Sequence, residues 1–112
     1  DGLGIGDVGN IVLRDRRLLS EDGIIIVVVT INGNGDILTG PDIITRGFVY
    51  IRESEELIAK ATSKVEEALK ECEKDNVTEW SVLKKTIKDV LKSYINKKIK
   101  RNPMILPIIM EV

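Results

Sequence analysis

The sequence predicts an α/β fold of the two-layer α+β kind: a three-stranded sheet covered on one face by two antiparallel helices, in the order β-β-α-α-β. Three observations predict it. Ile24 to Ile31 is an unbroken, almost wholly β-branched apolar run, and such residues favour strands. Two later segments repeat apolar residues at intervals of three and four, which puts them on one face of a helix. Met104 to Val112 is again aliphatic and follows a proline that stops helical continuation. At 112 residues the chain suits one domain with one core.

Residues 1–22 show no clean period and read as a linker, with a short strand around Asn10 to Leu13, and residues 23–112 form the domain. Ile24 to Ile31 is apolar at both odd and even positions, as expected of a strand central in its sheet or covered on both sides. The Asn-Gly pairs of Asn32-Gly-Asn-Gly-Asp36 tolerate the positive φ of a hairpin, so the chain turns back. Asp36 to Gly40 should then pair antiparallel with the first strand until Gly40-Pro41 interrupts it with a bulge or bend. Ile43 to Ile51 should resume the extended path, with Gly47 marking a kink.

Ser54 is a suitable N-cap, with Glu55 and Glu56 at the positive end of the helix dipole, so a helix is expected to begin there. Its apolar stripe runs Leu57, Ile58, Ala61, Val65, Ala68, Leu69 and Cys72. Thr78 is the expected cap of a second helix, whose stripe is Leu83, Ile87, Val90, Leu91, Tyr94 and Ile95. A short link makes the helices antiparallel and returns the chain to the starting end of the sheet. The last strand therefore runs parallel to the first; Pro107 sends it to an edge, and the strand order is 2-1-3.

Composition excludes several functions. The chain has no histidine, which removes the usual general base and the commonest transition-metal ligand, and one cysteine cannot form a disulfide or a structural zinc site. No catalytic and no metal-binding residue is assigned. The longest apolar run falls far short of the ~20 residues of a membrane helix. The lone thiol and the lack of a secretory leader point to the cytoplasm, and the start at Asp1 without an initiator methionine reads as a piece of a longer protein. Gly4-x-Gly6-x-x-Gly9 matches a dinucleotide fingerprint in form only, since neither the strand before it nor the helix after it is present.

Charge is unevenly spread. Residues 1–75 carry nine Lys and Arg against fifteen Asp and Glu, whereas residues 84–101 carry eight against Asp89 alone. Lys97, Lys98, Lys100 and Arg101 are candidate RNA phosphate contacts, although a solvated, dipole-compensating helix end explains them as well. Strand alternation groups Arg46, Phe48, Tyr50 and Arg52 as a candidate protein interface, with Val49 and Ile51 facing the helices. Cys72 reads as a core residue and Trp80 as a packing anchor at the start of the second helix.

Three separated segments carry a family resemblance: Asp1-Gly-Leu-Gly-Ile-Gly-Asp-Val-Gly9, Leu38-Thr-Gly-Pro-Asp-Ile-Ile-Thr-Arg-Gly-Phe-Val-Tyr-Ile-Arg-Glu-Ser54 and Arg101-Asn-Pro-Met-Ile-Leu-Pro-Ile-Ile-Met-Glu-Val112. Together they resemble the C-terminal domain of bacterial ribonuclease J, a metallo-β-lactamase and β-CASP nuclease. The resemblance implies a parent that hydrolyses RNA from the 5′ end and internally, in rRNA processing and mRNA decay, with a divalent metal pair (zinc or manganese) held by His and Asp ligands in its catalytic domain. None of those ligands is in this chain, which needs no cofactor of its own. The resemblance further implies self-association, as a homodimer or homotetramer, with RNA as the parent's substrate and no membrane partner.

Overall fold

A computed structural model of the chain describes residues 22–47 and 51–112, the side chains of 51–54 excepted. The elements are β1 (Ile24–Ile31), β2 (Ile37–Arg46), α1 (Ile51–Lys74), α2 (Trp80–Ile99) and β3 (Met104–Glu111). The sheet order is β2-β1-β3, with β2 antiparallel and β3 parallel to β1. The expected β-β-α-α-β architecture, the central first strand and the parallel last strand all hold.

Asn32 organises the turn between β1 and β2. Its Oδ1 accepts from the N–H groups of Asn34 at 2.9 Å and Asp36 at 3.0 Å, and the Gly35 N–H donates to its carbonyl. This is an Asx turn, in which one side chain replaces the backbone partners that the turn residues lack. Beyond the turn, β2 does not stop at Gly40-Pro41. It runs on through register shifts opposite Val28 to Ile31, and the Gly40–Pro41 peptide is cis. Gly40 has φ +103, and a Cβ there would lie 2.8 Å from the Val28 carbonyl oxygen, so only glycine fits against β1.

The extended path ends earlier than expected. β2 stops at Arg46, Gly47 follows with φ +72, and α1 begins at Ile51, not at Ser54. Once Gly47 has turned the chain, 51–56 is too polar and too acidic to serve as a strand and lengthens the helix instead, with Glu55 and Glu56 still near its positive end. The strand alternation proposed through Arg52 therefore fails at Arg52, whose backbone is helical.

α1 closes with a Schellman motif. Val77 N–H donates to the Cys72 carbonyl at 2.8 Å and Asn76 N–H to Glu73 at 3.1 Å, with Asn76 left-handed at φ +58. Val77 and Cys72 both pack against the core. The cap of α2 is Glu79, not Thr78, and it makes no side-chain capping bond. Thr78 is drawn elsewhere: its methyl lies against Gly35 in the β1–β2 turn, so the helix starts one residue later. At the far end Lys100 adopts the left-handed conformation and donates to Asn96 at 2.8 Å.

The core lies between the sheet and the helices. Ile25, Val27, Val29 and Ile31 of β1 meet Leu57, Ala61, Val65 and Leu69 of α1 and Leu83, Ile87, Leu91, Tyr94 and Ile95 of α2. Burying each large aliphatic contributes about 1.5–3 kcal/mol. Cys72 is half-buried at the margin of this core, as its place on the stripe implied. Trp80 is not a packing anchor; it is 40% exposed. As the first residue of α2 it lies on the line of the stripe but one turn before its first buried residue, Leu83.

Candidate functional site

Side chains alternate across a strand, so the inward odd-numbered residues of β1 send its even-numbered residues to the other face of the sheet. No helix of the described residues covers that face. Register sets Ile44, Ile26 and Leu106 side by side across it, followed by Asp42, Val28 and Ile108, while Met110 stands beside Thr30. Ile44 is 44% exposed and Met110 51%, and Leu106 and Ile108 are also exposed. β1 is thus covered on one side only, and its two-sided apolarity belongs to an aliphatic surface that faces outward.

This surface combines features of an interaction site. It spans three strands, and its apolar residues are contiguous across the sheet, whereas scattered single hydrophobes are ordinary on any surface. Asp42 and Arg46 bracket Ile44 on the same β2 row and supply one charge of each sign at the rim. Arg46 is exposed, and its Nη1 donates to its own neighbour's carbonyl, that of Thr45, at 2.9 Å.

Of the interface group read from the sequence, Arg46 therefore lies on the open face and Arg52 lies in α1, while Phe48 and Tyr50 fall outside the described residues. The aliphatic residues of the face were missed there because each one also satisfies the pattern of a buried strand. Their signal was the even-numbered half of Ile24–Ile31 together with the alternation of Leu106, Ile108 and Met110.

The second candidate group spans the end of α2 and the start of the connection to β3. Lys97 lines the groove between the helices with Lys64, Glu67, Glu71 and Asp89, a site of mixed charge. In that groove the Lys64 Nζ lies 5.5 Å from the centre of the Tyr94 ring, a cation–π distance. Lys98 and Lys100 are exposed, and Arg101 stands 3.7 Å from the Asp22 carboxylate.

Among the described residues, no group of three or more His, Cys, Asp or Glu side chains could hold a metal ion, and no helix is long and apolar enough to cross a membrane. The glycine fingerprint and the linker reading at 1–21 fall outside the described residues.

Comparison with known proteins places this architecture. Residues 11–112 match the family model described as the Ribonuclease J C-terminal domain. The whole chain is 57% identical to Ribonuclease J2 of Bacillus subtilis, and 50% identical to the proteins named Ribonuclease J 2 of Staphylococcus epidermidis and Staphylococcus aureus. The chain spans 20% of the length of each of these relatives.

Proposed function

We propose, from the premise that this chain belongs to the Ribonuclease J C-terminal domain family, that it is the non-catalytic self-association module of a larger RNA-hydrolysing protein. The observation that carries this reading is the aliphatic outer face of the sheet, built from Ile26, Val28, Ile44, Leu106, Ile108 and Met110. Two copies stacking these faces would form a sheet-on-sheet sandwich, the arrangement by which such a face leaves water. A two-fold axis crossing β2 at Ile44 would also set Asp42 of one copy over Arg46 of the other. The contact is then self-complementary, as a closed dimer requires.

In this reading the chemistry belongs to the parent. Its divalent metal pair is held by His and Asp ligands in the catalytic domain, because a chain without histidine cannot supply that set. Action from the 5′ end and internally, and a cytoplasmic setting in rRNA processing and mRNA decay, belong to the same proposal. This chain joins parents into dimers or tetramers and so fixes how their active sites are arranged.

Sedimentation velocity of the chain over a concentration series tests the reading. The unaltered chain should shift from monomer to dimer or tetramer as concentration rises, and Ile108→Glu should remain monomeric with an unchanged circular-dichroism spectrum. A chain that stays monomeric at the highest concentration, or an Ile108→Glu variant that associates normally, would overturn it.

A further inference from the structure

We propose that Trp80, Lys84, Lys88 and Lys92, which wind obliquely along α2 from its first residue, form a track for single-stranded nucleic acid. That the relevant polymer is RNA rests on the reading above of the parent as an RNA-hydrolysing protein. The four residues follow one another at intervals of four in a single helix, so successive side chains are neighbours, each about 6 Å further along the axis and about 40° further round it, in an oblique line. An exposed aromatic thus leads a line of three cations.

The row has the two elements that single-strand binding requires, a π-face on which a base can stack and a line of charge that follows the phosphates. Trp80 is the chain's only tryptophan, and the core leaves it 40% exposed. Lys88 and Lys92 are exposed, and Lys84 is half-buried in a groove of about 490 Å³ that it lines with Lys85, Lys88, Leu106 and Pro107. The one acid beside the groove, Asp89, is occupied by Lys85 at 2.7 Å. Among the described residues no carboxylate pairs with Lys84, Lys88 or Lys92.

A solvated helix face would account for the lysines but not for an indole left 40% exposed at their head. The groove that Lys84 and Lys88 line meets the aliphatic face at Leu106, so the track runs along the edge of the self-association surface while its own cations lie on α2.

Because Trp80 is the only tryptophan, its emission reports directly on the site. Titration with a short oligouridylate at low salt should quench it saturably, since a stacked base contacts the indole. The affinity should fall with salt at a log–log slope of about −2, three phosphates at about −0.7 each. Lys84→Gln/Lys88→Gln/Lys92→Gln should remove most of that slope and of the binding. Trp80→Ala, followed by anisotropy of a labelled oligonucleotide, should weaken binding about 5- to 150-fold, the range for losing one stacked base.

Lys97→Gln/Lys98→Gln serves as the control and should bind normally. No saturable quenching, an unaffected triple variant, or equal competition by polyglutamate without quenching would overturn the proposal; the last would assign the row to an acidic protein partner. The triple variant should sediment like the unaltered chain, so failure of the track and failure of self-association are read separately.

Discussion

The carboxylate of Asp22 accepts a hydrogen bond from the backbone N–H of Asn102 at 3.0 Å, across 80 positions of chain, while its other oxygen stands 3.7 Å from the Arg101 guanidinium. The bond joins the approach to β1 to the α2–β3 connection. It lies beside the first rung of the parallel pair, where Met104 N–H donates to the Gly23 carbonyl at 2.9 Å. Parallel strands have no hairpin to hold their register, so this contact at the start of the pair serves instead.

Asp22→Ala should therefore lower stability by about 1–2 kcal/mol, the cost of losing a hydrogen bond to a charged acceptor in a partly covered site. Asp22→Asn keeps an acceptor and should cost less. Urea unfolding of the two variants checks the order; equal losses would count against an acceptor role.

Gly40→Ala should destabilise strongly, because the new methyl would meet the Val28 carbonyl oxygen at 2.8 Å while φ stays at +103. The carbonyl is backbone and the methyl is fixed to its Cα, so neither can rotate aside. A loss of about 2 kcal/mol or more in the thermal transition is expected, counting the left-handed strain and the clash together.

At the end of α1, Asn76 holds φ +58 in the Schellman motif. Asn76→Ala should cost about 1 kcal/mol, since a Cβ without a local hydrogen-bonding group disfavours that conformation. Asn76→Gly should be neutral or stabilising. A helix end that tolerates alanine as well as glycine would contradict the motif's contribution.

Ile87 is fully buried where α2 crosses the sheet. Ile87→Ala should lower unfolding free energy by about 2–5 kcal/mol, through lost burial and the cavity left between the two layers. Chemical denaturation measures it directly.

The rim of the sheet face offers a test of symmetry. Asp42→Arg and Arg46→Asp should each weaken self-association by placing like charges against one another, and the double variant should restore it. Sedimentation equilibrium of the three variants distinguishes this from a face that associates in another orientation, for which the double variant would not recover.

Much of the fold was legible in the chain. The β-branched run at Ile24 to Ile31 and the stripes beginning at Leu57 and Leu83 specify strand and helices through local geometry alone, and Pro107 correctly sends β3 to an edge. The even-numbered N–H groups of β3 point to β1, as those of Met104 and Val112 show, so the residue without an N–H sits where no donor is needed. Boundaries were less legible. Ser54 and Thr78 both have the chemistry of a cap, yet α1 starts at Ile51 and α2 is capped by Glu79, with Thr78 packed against Gly35 instead.

The sequence by itself determined the element order, the residues of the core and the absence of a histidine-based catalytic site, since periodicity and side-chain chemistry are local properties. Only the tertiary structure decided which apolar residues remain in water. Ile44, Ile108 and Met110 carry the same pattern as buried strand residues, and their exposure follows from two helices covering one face of the sheet and leaving the other without a helix among the described residues; Trp80 reads like any core aromatic, but stands a turn before the first buried residue of α2. Burial belongs to the packed layers as a whole, and neither a residue nor its neighbours in sequence can specify it.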